Sequence, residues 1–137
     1  MRGLPPDQAC EALTVSKDLT DAEVFLLMAC LRVGKSPSER VFRRSAIERR
    51  PSIALPLEAI RISPKEVTKS LLSKGLLLSA GLGRVSTSAS GEIVKHRYSI
   101  LRNDLRLRGV LPPMGSRPSD IPILRDYMRR LCDGVPF

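Results

Sequence analysis

Two four-residue stretches, Ser36-Pro37-Ser38-Glu39 and Ser63-Pro64-Lys65-Glu66, carry the same helix start. Serine at the N-cap accepts from free amides, proline at the first helical position already has a helical φ, and the glutamate reaches back to the cap. Thr20-Asp21-Ala22-Glu23 is a third start, a capping box without proline. Together they dictate where three helices begin, and so which residues face inward in each.

After Thr20, Val24, Leu27, Met28 and Leu31 recur at i, i+3, i+4 and i+7, with Phe25 at the edge, and Gly34 supplies a stop. The Ser36 start predicts a helix to about residue 49, with Val41, Phe42, Ala46 and Ser45 inward and Pro51 ending it. A strand at 42–48 is the rival reading of part of that stretch. A short apolar segment, 52–62, predicts a brief helix from Pro56 and a tight turn at Arg61-Ile62. The Ser63 start predicts a helix over 64–74 with Gly75 as its stop. Val67, Leu71 and the stem of Lys74 point one way; Lys65, Lys69 and Leu72 point the other, flanked by Thr68, Ser73 and Glu66.

Upstream, 7–17 predicts a short helix with Ala9, Cys10 and Leu13 inward. Downstream, 84–88 and 93–101 flank Ser90-Gly91, a two-residue turn type, and predict a hairpin. On its second strand Val94, His96, Tyr98 and Ile100 share one face, and Lys95, Arg97 and Ser99 the other. A Pro/Gly-rich stretch ends 102–118, which reads as a linker. Leu124, Tyr127, Met128 and Leu131 then mark a last helix over 120–132, stopped by Gly134.

The charge is segregated along the chain. Overall 23 Lys+Arg stand against 14 Asp+Glu, a net charge of +9 in 137 residues. Residues 1–31 hold two basic and five acidic side chains, 32–109 hold 17 and six, and 110–137 hold four and three. The middle segment is therefore the surface expected to meet a polyanion, and the two ends are expected to pack or self-associate. A hydrophobic fraction of 42% excludes a disordered basic tail. No apolar run approaches the roughly 18 residues of a membrane span, and the first residues carry no secretory pattern. The expected setting is soluble and cytoplasmic, associated with the nucleoid. Aromatics at 4% argue against a single-strand binder built on base stacking.

No catalytic constellation is legible. His96 is the one histidine, the carboxylates are scattered, and no glycine-rich phosphate loop occurs. Neither enzymatic activity nor a cofactor or metal is expected. Cys10, Cys30 and Cys132 are odd in number and far apart; they suggest reduced thiols on packed faces. One glutamine and one asparagine in the whole chain hint at a thermophilic source.

From Ile62 to Leu77, Ile-Ser-Pro-Lys-Glu-Val-Thr-Lys-Ser-Leu-Leu-Ser-Lys-Gly-Leu-Leu, the chain resembles the recognition-helix segment of winged helix-turn-helix DNA-binding proteins. The shared pattern is a small apolar residue, Ser, a capped start, Val at the fourth helical position, Leu four later, and Lys-Gly-Leu entering a β-hairpin wing. The resemblance covers roughly 20–101. It departs from the pattern in a short, proline-bearing first helix of the turn unit and in the length of 36–51. It implies a mainly α fold with a small β-hairpin: an N-terminal helical extension at 1–19, the winged domain at 20–101, a linker at 102–118 and a C-terminal helix within 119–137.

The resemblance also implies binding of double-stranded DNA, as in a prokaryotic transcriptional regulator. Helix 64–74 would enter the major groove, about 12 Å wide. Ser63 would meet phosphate, Lys65 and Lys69 phosphates or guanine edges, and Thr68 and Ser73 bases or phosphates. Arg84, Lys95 and Arg97 on the wing would follow the backbone or the minor groove. Arg43 and Arg44, with Arg49 and Arg50, would widen the footprint. A homodimer through 120–132 and the N-terminal helices is the expected assembly. Each charge also has a plain reading: Lys65, Lys69, Lys95 and Arg97 as ordinary surface, the arginines of 43–50 paired with Glu39 and Glu48. His96, Tyr98 and Phe42 read as interior residues. Two other functions share the fold: a winged-helix interaction module of the transcription or replication machinery, and an RNA- or ribosome-associated winged helix.

Overall fold

The computed structural model describes residues 3–33 and 39–135. These form α1 (Pro6–Ser16), α2 (Asp21–Ala29), β1 (Val41–Arg43), α3 (Arg44–Glu48), α4 (Pro51–Ala59), α5 (Pro64–Ser73), β2 (Leu77–Ser79), β3 (Arg84–Thr87), α6 (Ala89–Leu107) and α7 (Ile121–Cys132), with 3-10 turns at Cys30–Arg32 and Pro118–Asp120. The fold is mainly helical with one small antiparallel sheet, ordered β1-β3-β2. The Ser36-Pro37-Ser38-Glu39 start and the Gly34 stop lie outside the described residues, apart from Glu39.

α2 is the hub. Its capping box forms in both directions: the Glu23 amide donates to Thr20 Oγ1 at 3.2 Å, and the Thr20 amide donates to Glu23 Oε1 at 2.8 Å. Every residue from Ala22 to Ala29 is buried, because α4, α5, α6 and α7 all pack around it. A helix apolar on nearly all sides is stable only in such surroundings.

Where a helix was expected over 36–49, the chain forms β1 and then α3. The rival strand, read at 42–48, thus holds at 42 and 43 alone; 44–48 are helical, and Arg43, extended at φ −69° and ψ 130°, takes the N-cap position of α3 without a side-chain capping hydrogen bond. Phe42 is buried and Val41 and Arg43 are exposed, the alternation of a half-covered strand. β1 and β2 both pair with β3, in the registers Phe42↔Val85 and Leu78↔Ser86.

The largest departure concerns 89–107. The expected second wing strand, 93–101, is the middle of α6, and the hairpin is β2–β3, turning at 80–83. Ser88 caps α6 by accepting from the Gly91 amide at 3.1 Å. Gly91 is no turn residue; it is where α6 touches the backbone, since a Cβ there would lie 2.3 Å from the Leu76 carbonyl oxygen. Val94, Tyr98, Leu101 and Leu105 form the buried stripe of α6, which packs against α1 and α2.

The expected linker is not separate. Residues 102–107 complete α6, and Leu111, Pro118 and Asp120 are buried beyond it. α7 then returns along α1, burying Ile121, Leu124 and Met128. Arg125 fastens it by donating to the carbonyls of Ser16 (3.1 Å) and Leu19 (2.6 Å) and pairing with Asp21 at 3.3 Å. The apolar face expected to meet a second copy is therefore covered within the same chain.

The cysteines also depart from expectation. Cys10 on α1 and Cys132 on α7, 122 residues apart, form a disulfide. Spacing along the chain carries no sign of this pairing; the packing of α1 on α7 creates it. Cys30 is free and buried, and burial pushes its thiol up to about 12, so it stays protonated.

Candidate nucleic-acid interface

α5 is held from behind and open in front. Its amphipathic sequence buries Val67 and Leu71 and half-buries Leu72 against the core. A single carboxylate, Glu23 of α2, adds direction. It is 2% exposed, accepts from Lys74 Nζ at 2.7 Å through Oε1, and from Ser70 Oγ at 2.8 Å through Oε2. Burial works to raise the Glu23 pKa; the donors Lys74, Thr20 and Ser70 outweigh it and hold the carboxyl below its usual range. Lys74 also donates to the Asp18 carbonyl at 2.9 Å. The inward Lys74 stem of the sequence reading is thus an anchoring cation.

The outer face of α5 presents Lys65, Lys69, Ser73 and Glu66, all exposed. Neither lysine pairs with a carboxylate among the described residues. Ser63 sits at the N-cap in extended conformation, but its side chain makes no capping hydrogen bond, so the expected capping box does not close. Its hydroxyl is left exposed at the helix start. Thr68 belongs to another face: it is buried, and its hydroxyl donates to the Pro64 carbonyl at 2.9 Å. It is unavailable to any ligand.

The outer face of the sheet carries a second basic group. Arg43 and Arg84 are register partners on β1 and β3, both exposed and without a carboxylate partner among the described residues. Like charges directly opposite across strands disfavour the pair unless an anion or solvent screens them. With Val33, Glu39, Val41, Phe42 and Ala46 they line a shallow cleft of about 360 Å³. Beyond Arg84 the hairpin tip holds Leu82, 102% exposed, between Gly81 and Gly83, both at positive φ. Arg44 turns away from this group and pairs with Glu48 at 2.8 Å, one helical turn on.

Lys95 and Arg97 leave the candidate surface altogether. Lys95 is 0% exposed on α6, pairs with Glu92 at 2.5 Å, donates to the Glu39 carbonyl at 3.1 Å and lies over the Phe42 ring at 5.7 Å. Burial opposes ionisation of Glu92, but hydrogen bonds from Lys95 and Thr87 hold its pKa below the usual range. Arg97 pairs with Glu11 of α1 at 2.8 Å. Their helical setting removes both from a wing. His96 is half-buried beside Glu92 at 3.6 Å, and Tyr98 is buried with its hydroxyl 2.6 Å from Ser16 Oγ.

Arg61, exposed in the turn between α4 and α5 at φ 61°, was read from the sequence only as a turn residue. The tight turn was legible; its handedness was not. Among the described residues, no cluster of three His, Cys, Asp or Glu side chains could hold a metal ion, and no helix is long and apolar enough to cross a membrane. Comparison with protein-family models, curated proteins and solved structures finds no match to the chain.

Proposed function

We propose that this chain is a winged helix-turn-helix protein that binds double-stranded DNA as a regulator of transcription. The observation that carries the reading is α5: core-anchored through Val67, Leu71 and Glu23, and presenting Lys65, Lys69 and Ser73 outward. A rigidly held helix with cations on its free face suits a major groove, where the phosphates position it and base edges select it. The order α2, α3–α4, α5, then Gly75-Leu76 and a hairpin, supports the resemblance read from the sequence. The wing in this reading is β2–β3, and its cations are Arg84 and its partner Arg43.

Selection from random duplex DNA at physiological salt tests the reading. Enrichment of a consensus supports a sequence-reading regulator, and a palindrome would report a dimer with its half-site spacing. Preference for structured RNA in competition, or a stable protein partner with no duplex affinity, would replace it.

A further inference from the structure

Among the described residues, four helices end in the same turn. After α5, α6 and α7, the left-handed residue is Gly75, Gly109 and Gly134, at φ 78°, 77° and 73°. In each, the next amide reaches back five residues: Leu76 to Leu71 (3.0 Å), Val110 to Leu105 (2.9 Å), Val135 to Arg130 (2.8 Å). α4 closes by the same two hydrogen bonds, Arg61 to the Glu58 carbonyl and Ile62 to the Leu57 carbonyl, both 2.9 Å. There the left-handed residue is Arg61, the one non-glycine residue with positive φ among the described residues.

Glycine suits this position because a Cβ strains the left-handed backbone. The three glycines are not kept for lack of room: a Cβ on Gly75, Gly109 or Gly134 would meet nothing within 4 Å. The chain thus avoids this strain at three helix ends and accepts it at the fourth. Arg61 is exposed and has no carboxylate partner among the described residues. Its turn is pinned by the buried Leu57 and by Ile62 packed on the core, and it leads directly into α5, with Lys65 and Lys69 beyond. A glycine would hold the turn as well; it could not carry a cation.

We propose that Arg61 is a further DNA-contacting residue, whose guanidinium meets a backbone phosphate flanking the groove that α5 enters. The proposal rests on the duplex-binding reading of α5. Binding is measured as anisotropy of a fluorescein-labelled random-sequence duplex against salt, with Tm measured alongside. Arg61→Gly relieves the strain and removes the charge, so Tm rises by a few degrees while affinity falls about fivefold and the salt slope drops by about one unit. Arg61→Lys keeps charge and strain and stays within about threefold of the parent chain. Parental affinity and slope in Arg61→Gly, or a Tm that stays level or falls, overturns the proposal and leaves the duplex reading standing. A parent chain that binds no duplex at low salt overturns both.

Discussion

Glu23 and Lys74, 51 residues apart in sequence, meet at 2.7 Å, and the same carboxylate caps the helix that carries it. One side chain therefore fixes both where α2 starts and how α5 is aimed. Glu23 is more acidic folded than in an unfolded chain. Its contribution to stability is complete above the unfolded pKa and is lost as pH falls through the folded one. Glu92 behaves in the same sense. Urea melts are expected to show stability declining below about pH 5, with a shallower decline in Glu23→Gln. At neutral pH Glu23→Ala is expected to cost about 2 kcal/mol, because Thr20 and Ser70 lose their acceptor while the part-exposed Lys74 turns to solvent. An unchanged acid limb in Glu23→Gln would show that other carboxylates govern it.

Gly91→Ala should be among the costliest small substitutions. The added methyl meets the Leu76 carbonyl oxygen at 2.3 Å, an atom fixed in the backbone, so α6 must shift away from the segment that leads into β2. A loss of about 2 kcal/mol or more is expected, read as a lower urea midpoint at unchanged m-value. A neutral result would mean that α6 does not approach Leu76 this closely.

Lys95→Ala separates core from interface. It removes one of the hydrogen-bond donors of Glu92, leaving Thr87, and opens space beside Phe42, at an expected cost of about 2 kcal/mol. In the duplex titration its salt slope should match the parent's, because Lys95 reaches no phosphate. Lys65→Ala with Lys69→Ala should do the reverse, leaving Tm nearly level and lowering the slope by up to about two units.

Reduction should weaken the fold through one bond. The Cys10–Cys132 disulfide constrains nearly the whole chain, and its loss is expected to cost about 2–5 kcal/mol. Thermal melts with and without reductant should differ for the parent chain and coincide for Cys10→Ser. Cys30→Ser should retain the parent's response, since the Cys30 thiol takes no part in the bond.

Local signals carried much of this fold. The Thr20–Glu23 box, the Pro64 start with its Gly75 stop, and the 124–131 stripe each mark a helix that forms. α6 was lost to a genuine degeneracy. Val94, His96, Tyr98 and Ile100 satisfy a period of two, while Val94, Tyr98, Leu101 and Leu105 satisfy a helical period. Gly91 tipped the reading toward a turn when its role was close approach. The site was legible to the same degree. Lys65, Lys69 and Ser73 follow from the phase of α5, whereas Thr68 lies on its flank, where phase alone cannot separate buried from exposed. Arg43 opposite Arg84 and Cys10 beside Cys132 are non-local pairings, and no spacing in one sequence encodes them.

The Cys10–Cys132 bond also has a consequence for how the chain can come apart. In covalent terms residues 10–132 form a closed ring. A single cut by a protease at the exposed 112–115 loop opens the ring without dividing it. The nicked protein remains one molecule, with α1 and α7 still tethered, until a reductant releases two pieces. Backbone continuity and molecular integrity are thus separate properties here, guarded by different chemistry.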